Sequence, residues 1–460
     1  MLAAALYFVP PPVALLLVAL LALPVLLRPD IGLALIAFAS FFYQTPLRLP
    51  VVSFSPVELA LALTVGGTVF RLTLLAAYSQ IKIHRSPFTI TSLDFAAVAL
   101  ALLAFLSTLM AEQLAVALRE WRTVIFESVL FYFLIRLNYG PPGFGDEGVE
   151  NSEKLPAPNP WPLADAFVAG AVLQAALALG LYFFTDRSID AEGVHRALGL
   201  GYGSPNNLAL ALGRAWPILL AVALLPGSAA LRRGLYGIGL VVTGLALYLT
   251  FSKGALLLGL PAGLLVMALL VAWRGHRQNW LKWGVAAGGA LLLGLLALIP
   301  VSQTERFRAT FDTGEGSTAF FRLKLWQASL QMLADFWPLG VGPDNFLYQY
   351  RSRYILPEAW QEPNLNHPHN WLLDFGTRLG LGGIALFLWL QWGYWRAARE
   401  LLRARFSPLL VGLMASMVVT LAHGLVDNSF FLVDLSFAFF LNVGLVQALR
   451  DAAAGSNHSA

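Results

Sequence analysis

Apolar segments of about 17–23 residues recur along almost the whole chain, each sized to cross the ~30 Å hydrocarbon layer of a membrane as one α-helix. In lipid, backbone polar groups must be satisfied within a helix or a closed barrel, and no series of alternating ten-residue strands points to a barrel. The expectation is an all-α, polytopic helical membrane protein with about twelve or thirteen transmembrane helices and one large polar loop. Composition agrees: 58% of the 460 residues are hydrophobic, 12% are charged and the mean hydropathy is +0.68, which excludes a soluble domain of this length. The helix count turns on residues 12–27 and 31–45, two short apolar stretches around Arg28-Pro29-Asp30. They read as two helices or as one plus a re-entrant piece. No Lys or Arg precedes Arg28, which argues against a cleavable secretory leader.

The chain has no cysteine, so disulfides, thiolate metal sites and cysteine nucleophiles are excluded. Its formal charge of +4 is scattered through short loops and forms no basic stripe, so nucleic acid is not an expected partner. Three of those loops, at Leu231-Arg232-Arg233, 274–282 and 396–405, are short and strongly basic, which places them in the cytoplasm. Helices expected at 163–184, 207–225, 235–251, 254–272, 283–301, 371–394, 408–427 and 430–449 then alternate across the membrane. The loops 185–206 and 302–370 fall on the outer face. Four regions follow: N-terminal transmembrane helices over 1–301, the large outer loop 302–370, C-terminal transmembrane helices over 371–450, and a disordered tail over 451–460. The acidic, proline-rich stretch 140–162 reads as a flexible connector.

With that topology drawn, the polar residues that are costly near a bilayer collect on one side. His195 and Arg196 precede Gly201-Tyr202-Gly203-Ser204-Pro205-Asn206, where Ser-Pro can start the next helix. Lys253 sits at a helix junction, Arg306, Arg308, Arg322, Lys324, Arg351 and Arg353 populate the large loop, and Asn366-His367-Pro368-His369-Asn370-Trp371 ends it. His423 and Asp427 stand four apart, on one face of the expected helix 408–427. The result is an outward-facing cationic cup, suited to a polyanionic ligand.

These same residues carry a resemblance. The stretch 322–346, with Arg322, Trp326, Asp335 and Trp337-Pro338-Leu339-Gly340-Val341-Gly342-Pro343-Asp344-Asn345-Phe346, resembles the loop signature of the O-antigen ligase and polymerase superfamily. His369-Asn370, Gly380 and Gly383 fit that family's pattern H-[NSQ]-x9-G-x2-[GTY]. Arg196 with Ser204-Pro205-Asn206, Ser252-Lys253-Gly254 and His423-Gly424-Leu425-Val426-Asp427 resemble further blocks in the same order. The likeness spans about residues 190–430. One departure is Lys253, where the family more often has arginine; lysine supplies charge without the two-point fork that grips phosphate.

The resemblance implies an enzyme of the bacterial inner membrane whose site faces the outside. It would move a glycan from undecaprenyl diphosphate to a glycolipid or other glycan acceptor, among membrane lipids. The resemblance further implies His369 as base with Asp427 as orienter, and Arg196, Lys253, Arg322 and His423 as substrate-binding groups. A diphosphate leaves readily, so the reaction needs a base and cations more than an acid. The outer loops hold no Asp-x-Asp motif and no close carboxylate pair, so no metal or other cofactor is expected. Plainer roles compete: Arg196 and Lys253 as snorkelling side chains, Arg322 paired with Asp335 or Asp344, His423 hydrogen-bonded to Asp427, and His367 as a structural residue. A polymerase or a protein O-oligosaccharyltransferase would use the same donor with another acceptor. A transporter fits less well, because the ionisable residues gather at one face instead of threading the midplane.

Overall fold

The computed structural model describes residues 22–48, 53–78, 90–139, 159–274, 302–308 and 314–457. It is 76% helical, and the strand among the described residues lies in two short hairpins, so the protein is all-α. The main helices are α1 (Pro29–Ala39), α2 (Pro56–Tyr78), α3 (Ser92–Leu109), α4 (Leu114–Glu120), α5 (Glu127–Tyr139), α6 (Trp161–Phe184), α7 (Pro205–Leu224), α8 (Ala230–Leu249) and α9 (Leu260–Arg274). After them come α10 (Thr318–Asp335), α11 (Trp371–Ala404), α12 (Pro408–His423) and α13 (Val433–Asn457). Single π turns join α4 to α5 and lead into α9.

Among the described residues, eight helices are long and apolar enough to cross a membrane, and Pro29–Phe42 and Pro408–His423 are shorter apolar helices. The expected helix 283–301 and most of the stretch 12–27 lie outside the described residues. Of the two N-terminal stretches, 31–45 begins as α1, which packs between α2 and α6. The bundle is held by α7 against α8 and α12, α3 against α11, and α5 against α13. Large side chains such as Leu231, Ile238 and Val241 on α8 are exposed, a surface that needs a bilayer around it. This is a multi-pass membrane protein.

Helix starts follow local chemistry. Thr91 and Asp94 form a reciprocal capping box for α3, Ser204 caps α7 ahead of Pro205, Asn370 caps α11, and Ser407 caps α12 ahead of Pro408. The stretch 302–370 is more than a loop. It contains α10, whose Leu325, Ala328 and Met332 form a small core of their own with Val341, Phe346 and Tyr350. The outer segment 185–206 contains an antiparallel hairpin, Ser188–Ala191 with Val194–Ala197.

Two expectations need correction. Helix α12 stops at His423 and does not continue to residue 427, because the carbonyls of Gly424 and Leu425 are taken by Trp371 N–H at 2.7 Å and Asn370 Nδ2 at 3.1 Å. The segment 451–460 is not a disordered tail as a whole: α13 runs on to Asn457, and Asp451 lies 3.6 Å from the buried guanidinium of Arg136.

Helix α11 breaks at Gly380, where φ is +68° and ψ −167°. The loop Trp337–Gly342 docks into that break: Leu381 N–H donates to the Trp337 carbonyl at 2.9 Å, and Val341 and Gly342 N–H to the carbonyls of Thr377 and Arg378. A Cβ on Gly380 would sit 2.4 Å from the Trp337 oxygen, so the close approach requires glycine. The Ser107 hydroxyl seals the joint by donating to the carbonyls of Leu339 and Arg378.

Candidate active site

The segment that opens α11 is fixed at several points. Trp326 Nε1–H donates to the Pro368 carbonyl at 2.9 Å, and Asn370 Oδ1 accepts from the N–H groups of Leu372 and Leu373. Trp371 N–H and Asn370 Nδ2 bind the chain just after α12, as above, and so bring Asp427 to the histidines. His369 Nδ1 lies 3.0 Å from Asp427 Oδ1 and 3.1 Å from His367 Nε2, while His367 Nδ1 lies 2.6 Å from Asn366 Oδ1.

The protonation pattern follows from what each partner can accept. Burial pushes the Asp427 carboxyl up, but the His367 and His369 imidazoles that face it win and hold it well below the usual carboxylate range. An ionised carboxylate only accepts, so the proton of His369 is on Nδ1. Nε2 of His369 carries the lone pair and has no hydrogen-bond partner among the described residues. Burial first, then the neighbouring His369, lower the His367 imidazole below its ordinary range, and its Nδ1–H is directed to the Asn366 amide oxygen.

His369 and Asp427 line a cavity of about 400 Å³ together with Tyr43, Arg119, Ser204 and Asn206. Arg119 is half a chain away in sequence, is largely exposed and pairs with Asp344 at 3.1 Å. Below it Arg378 is buried between Asp374, at 2.7 Å, and Glu120, with its guanidinium 4.7 Å from the Phe431 ring. Its Nη2 also donates to the Asn366 carbonyl at 3.4 Å. A buried arginine shared by two carboxylates is well compensated, and removing either acid would leave charge stranded.

The other sequence-selected residues lie outside this cavity wall. Arg196 is buried and donates to the Thr250 carbonyl and to Asn206 Oδ1, both at 2.7 Å, so it braces a wall residue from behind. Lys253 pairs with Glu192 at the hairpin tip at 3.3 Å. Arg322 has no carboxylate within ion-pair distance among the described residues, because Asp335 accepts from the Tyr354 hydroxyl and Asp344 from Arg119. His423 makes no hydrogen bond to Asp427; its imidazole is buried and packed where a Cβ on Gly254 would come within 2.5 Å. Side chains of Arg306 and Arg308 are outside the described residues.

Sequence reading passed over Arg119, Glu120 and Arg378. Their signal was available: ionisable residues inside otherwise apolar helical runs, which lipid does not tolerate without partners. The docking of the loop signature explains their placement, since Asn345 Oδ1 accepts from Gln113 N–H at 2.7 Å and Gln349 donates to Glu112 at 2.7 Å, pinning the start of α4.

No curated protein matches the chain. Residues 238–388, from α8 through the histidine segment into α11, match the family model described as O-antigen ligase (Wzy_C), and the chain is O-antigen ligase-like in the stretch that carries His369.

Proposed function

We propose that the protein is a glycosyltransferase of the bacterial inner membrane that moves a glycan from undecaprenyl diphosphate to an acceptor hydroxyl on a glycolipid at the outer face. The observation that carries this reading is His369, which lines a polar cavity, is tied through Nδ1 to Asp427 and has no hydrogen-bond partner for Nε2 among the described residues. The match to the O-antigen ligase family supports a lipid-linked glycan as donor.

In this reading the acceptor hydroxyl gives its proton to His369 Nε2 as its oxygen attacks the anomeric carbon. The bond from that carbon to the diphosphate oxygen breaks, and the electron pair leaves with the phosphate. Asp427 is a positioning residue that holds the tautomer and steadies the imidazolium. Arg119, which lines the cavity, receives the departing charge, with Arg322 as a second cation for it. Arg196 braces the wall at Asn206, Lys253 and His423 take no direct part, and no metal takes part in the step.

The test is transfer of lipid-linked glycan by purified, reconstituted His369→Ala. The expected loss is about 10²- to 10⁴-fold, the usual contribution of a general base, with an unchanged thermal unfolding profile. A wild-type rate in that variant would remove His369 as the base.

A further inference from the structure

The three donor atoms at the centre of the site form a triangle. His367 Nε2, His369 Nδ1 and Asp427 Oδ1 are separated by 3.1, 3.0 and 3.7 Å. A tetrahedral ion about 2.0–2.1 Å from its ligands holds them roughly 3.3–3.4 Å apart, and the three separations straddle that value. Two imidazoles and one carboxylate with a fourth position open is a ligand set that suits Zn²⁺ and other late first-row divalent ions.

The surroundings support the ligands as well as the triangle. His367 Nδ1 is directed at the Asn366 amide oxygen at 2.6 Å, which fixes its tautomer with Nε2 as the free donor. Asp427 Oδ1 accepts from Asn428 N–H at 2.9 Å, which holds the carboxylate in place. Such outer partners are what metal-binding histidines and carboxylates require.

We propose that His367, His369 and Asp427 form a Zn²⁺ site whose occupation switches transfer off. This rests on the reading of His369 as base. The imidazole has one proton to place. Without metal that proton is on Nδ1, facing Asp427, and Nε2 can accept. With Zn²⁺ bound at Nδ1 the proton moves to Nε2, the ring has no lone pair left for the acceptor hydroxyl, and the base is lost. No proton leaves and no bond to substrate is involved; the ion and the active tautomer exclude each other. His367 thereby gains a role that the transfer step does not give it.

The experiment uses the full protein in detergent without substrate. Co²⁺ should bind at one equivalent and show the visible d–d absorption of a four-coordinate ion, and Zn²⁺ should abolish that absorption by displacing it. In the transfer assay, Zn²⁺ should inhibit and EDTA should restore the full rate. His367→Ala should lose the Co²⁺ band and require at least about 10-fold more Zn²⁺ for half-inhibition, measured against its own metal-free rate. Asn366→Ala, which leaves all three ligands in place, should weaken Zn²⁺ inhibition to a smaller degree. Absence of the band in the wild type, or equal Zn²⁺ sensitivity in His367→Ala, overturns the site. A transfer rate that falls in EDTA and returns with Zn²⁺ overturns the inhibitory role. An active His369→Ala would defeat the base assignment, while the Co²⁺ band of the wild type would still decide whether the triangle binds metal.

Discussion

His369 has a φ of +51°, a left-handed conformation that costs a non-glycine residue on the order of 1–3 kcal/mol. The cost is met by the neighbours on either side, Trp326 bonded to the Pro368 carbonyl and Trp371 to the Gly424 carbonyl. The strain is what sets Nδ1 against Asp427 in place of a partner on its own helix. Asp427 is thereby placed 3.0 Å from His369 Nδ1, and its substitution should separate positioning from binding. Asp427→Asn can present an amide N–H to Nδ1 and stabilise the wrong tautomer, so kcat should fall about 10²- to 10⁴-fold while the donor KM changes little. Asp427→Glu should recover part of the loss. Steady-state kinetics on the three proteins decides it: a rise in KM with kcat intact would make Asp427 a binding residue.

At the level of elements, the family pattern around Gly380 turns out to describe a joint. The dihedrals there are essentially restricted to glycine, and the Trp337–Gly342 loop occupies the break. Gly380→Ala should cost about 1–3 kcal/mol from the backbone alone and displace the loop, because its Cβ meets backbone and not a movable side chain. A lower unfolding temperature together with reduced transfer is the expected result. Gly180→Ala, with nothing within 4 Å of its added methyl, should be neutral or slightly stabilising. Equal stability of the two variants would refute the joint. The elements themselves were largely legible, since hydropathy located α6, α7 and the span Gly254–Trp273, the π turn with α9, to within a few residues. The end of α12 was not. Leu425 and Val426 continue the apolar run, and only the distant Trp371 and Asn370, which take the last carbonyls, unwind it. The consequence is large, because unwinding swings Asp427 off the face it was expected to share with His423 and onto the histidines. Helix α10 was hidden for a related reason: its apolar face is narrow and covered by residues 341–350 of its own segment.

For the molecule as a whole, the site is an assembly of parts that no single stretch of sequence contains. The family match ends at residue 388 and begins at 238, yet the cavity wall also takes Tyr43, Arg119, Asn206 and Asp427 from outside it. The cationic cup expected from the sequence is also rearranged. Arg196 is turned inward, Lys253 is paired at the hairpin, and of the two arginines that line the cavity the exposed one, Arg119, comes from the first half of the chain. Its partner Asp344 belongs to the docked loop, so the Arg119–Asp344 contact couples the loop signature to the N-terminal helices. Being exposed, that pair is worth little as a fold contact, and screening leaves at most a few tenths to 1 kcal/mol. Its place on the cavity wall fits a diphosphate that competes with Asp344 for the guanidinium, since phosphate oxygens accept the two-point contact more strongly. Arg119→Ala should then leave stability nearly unchanged and lower kcat/KM for the lipid diphosphate donor by roughly 10- to 150-fold, the equivalent of one charged hydrogen bond. Arg119→Lys should recover only part of it, and Asp344→Asn, which frees the guanidinium, should lower the donor KM. Donor titrations of the three variants beside wild type give the answer: unchanged kcat/KM in Arg119→Ala would return the diphosphate contact to Arg322.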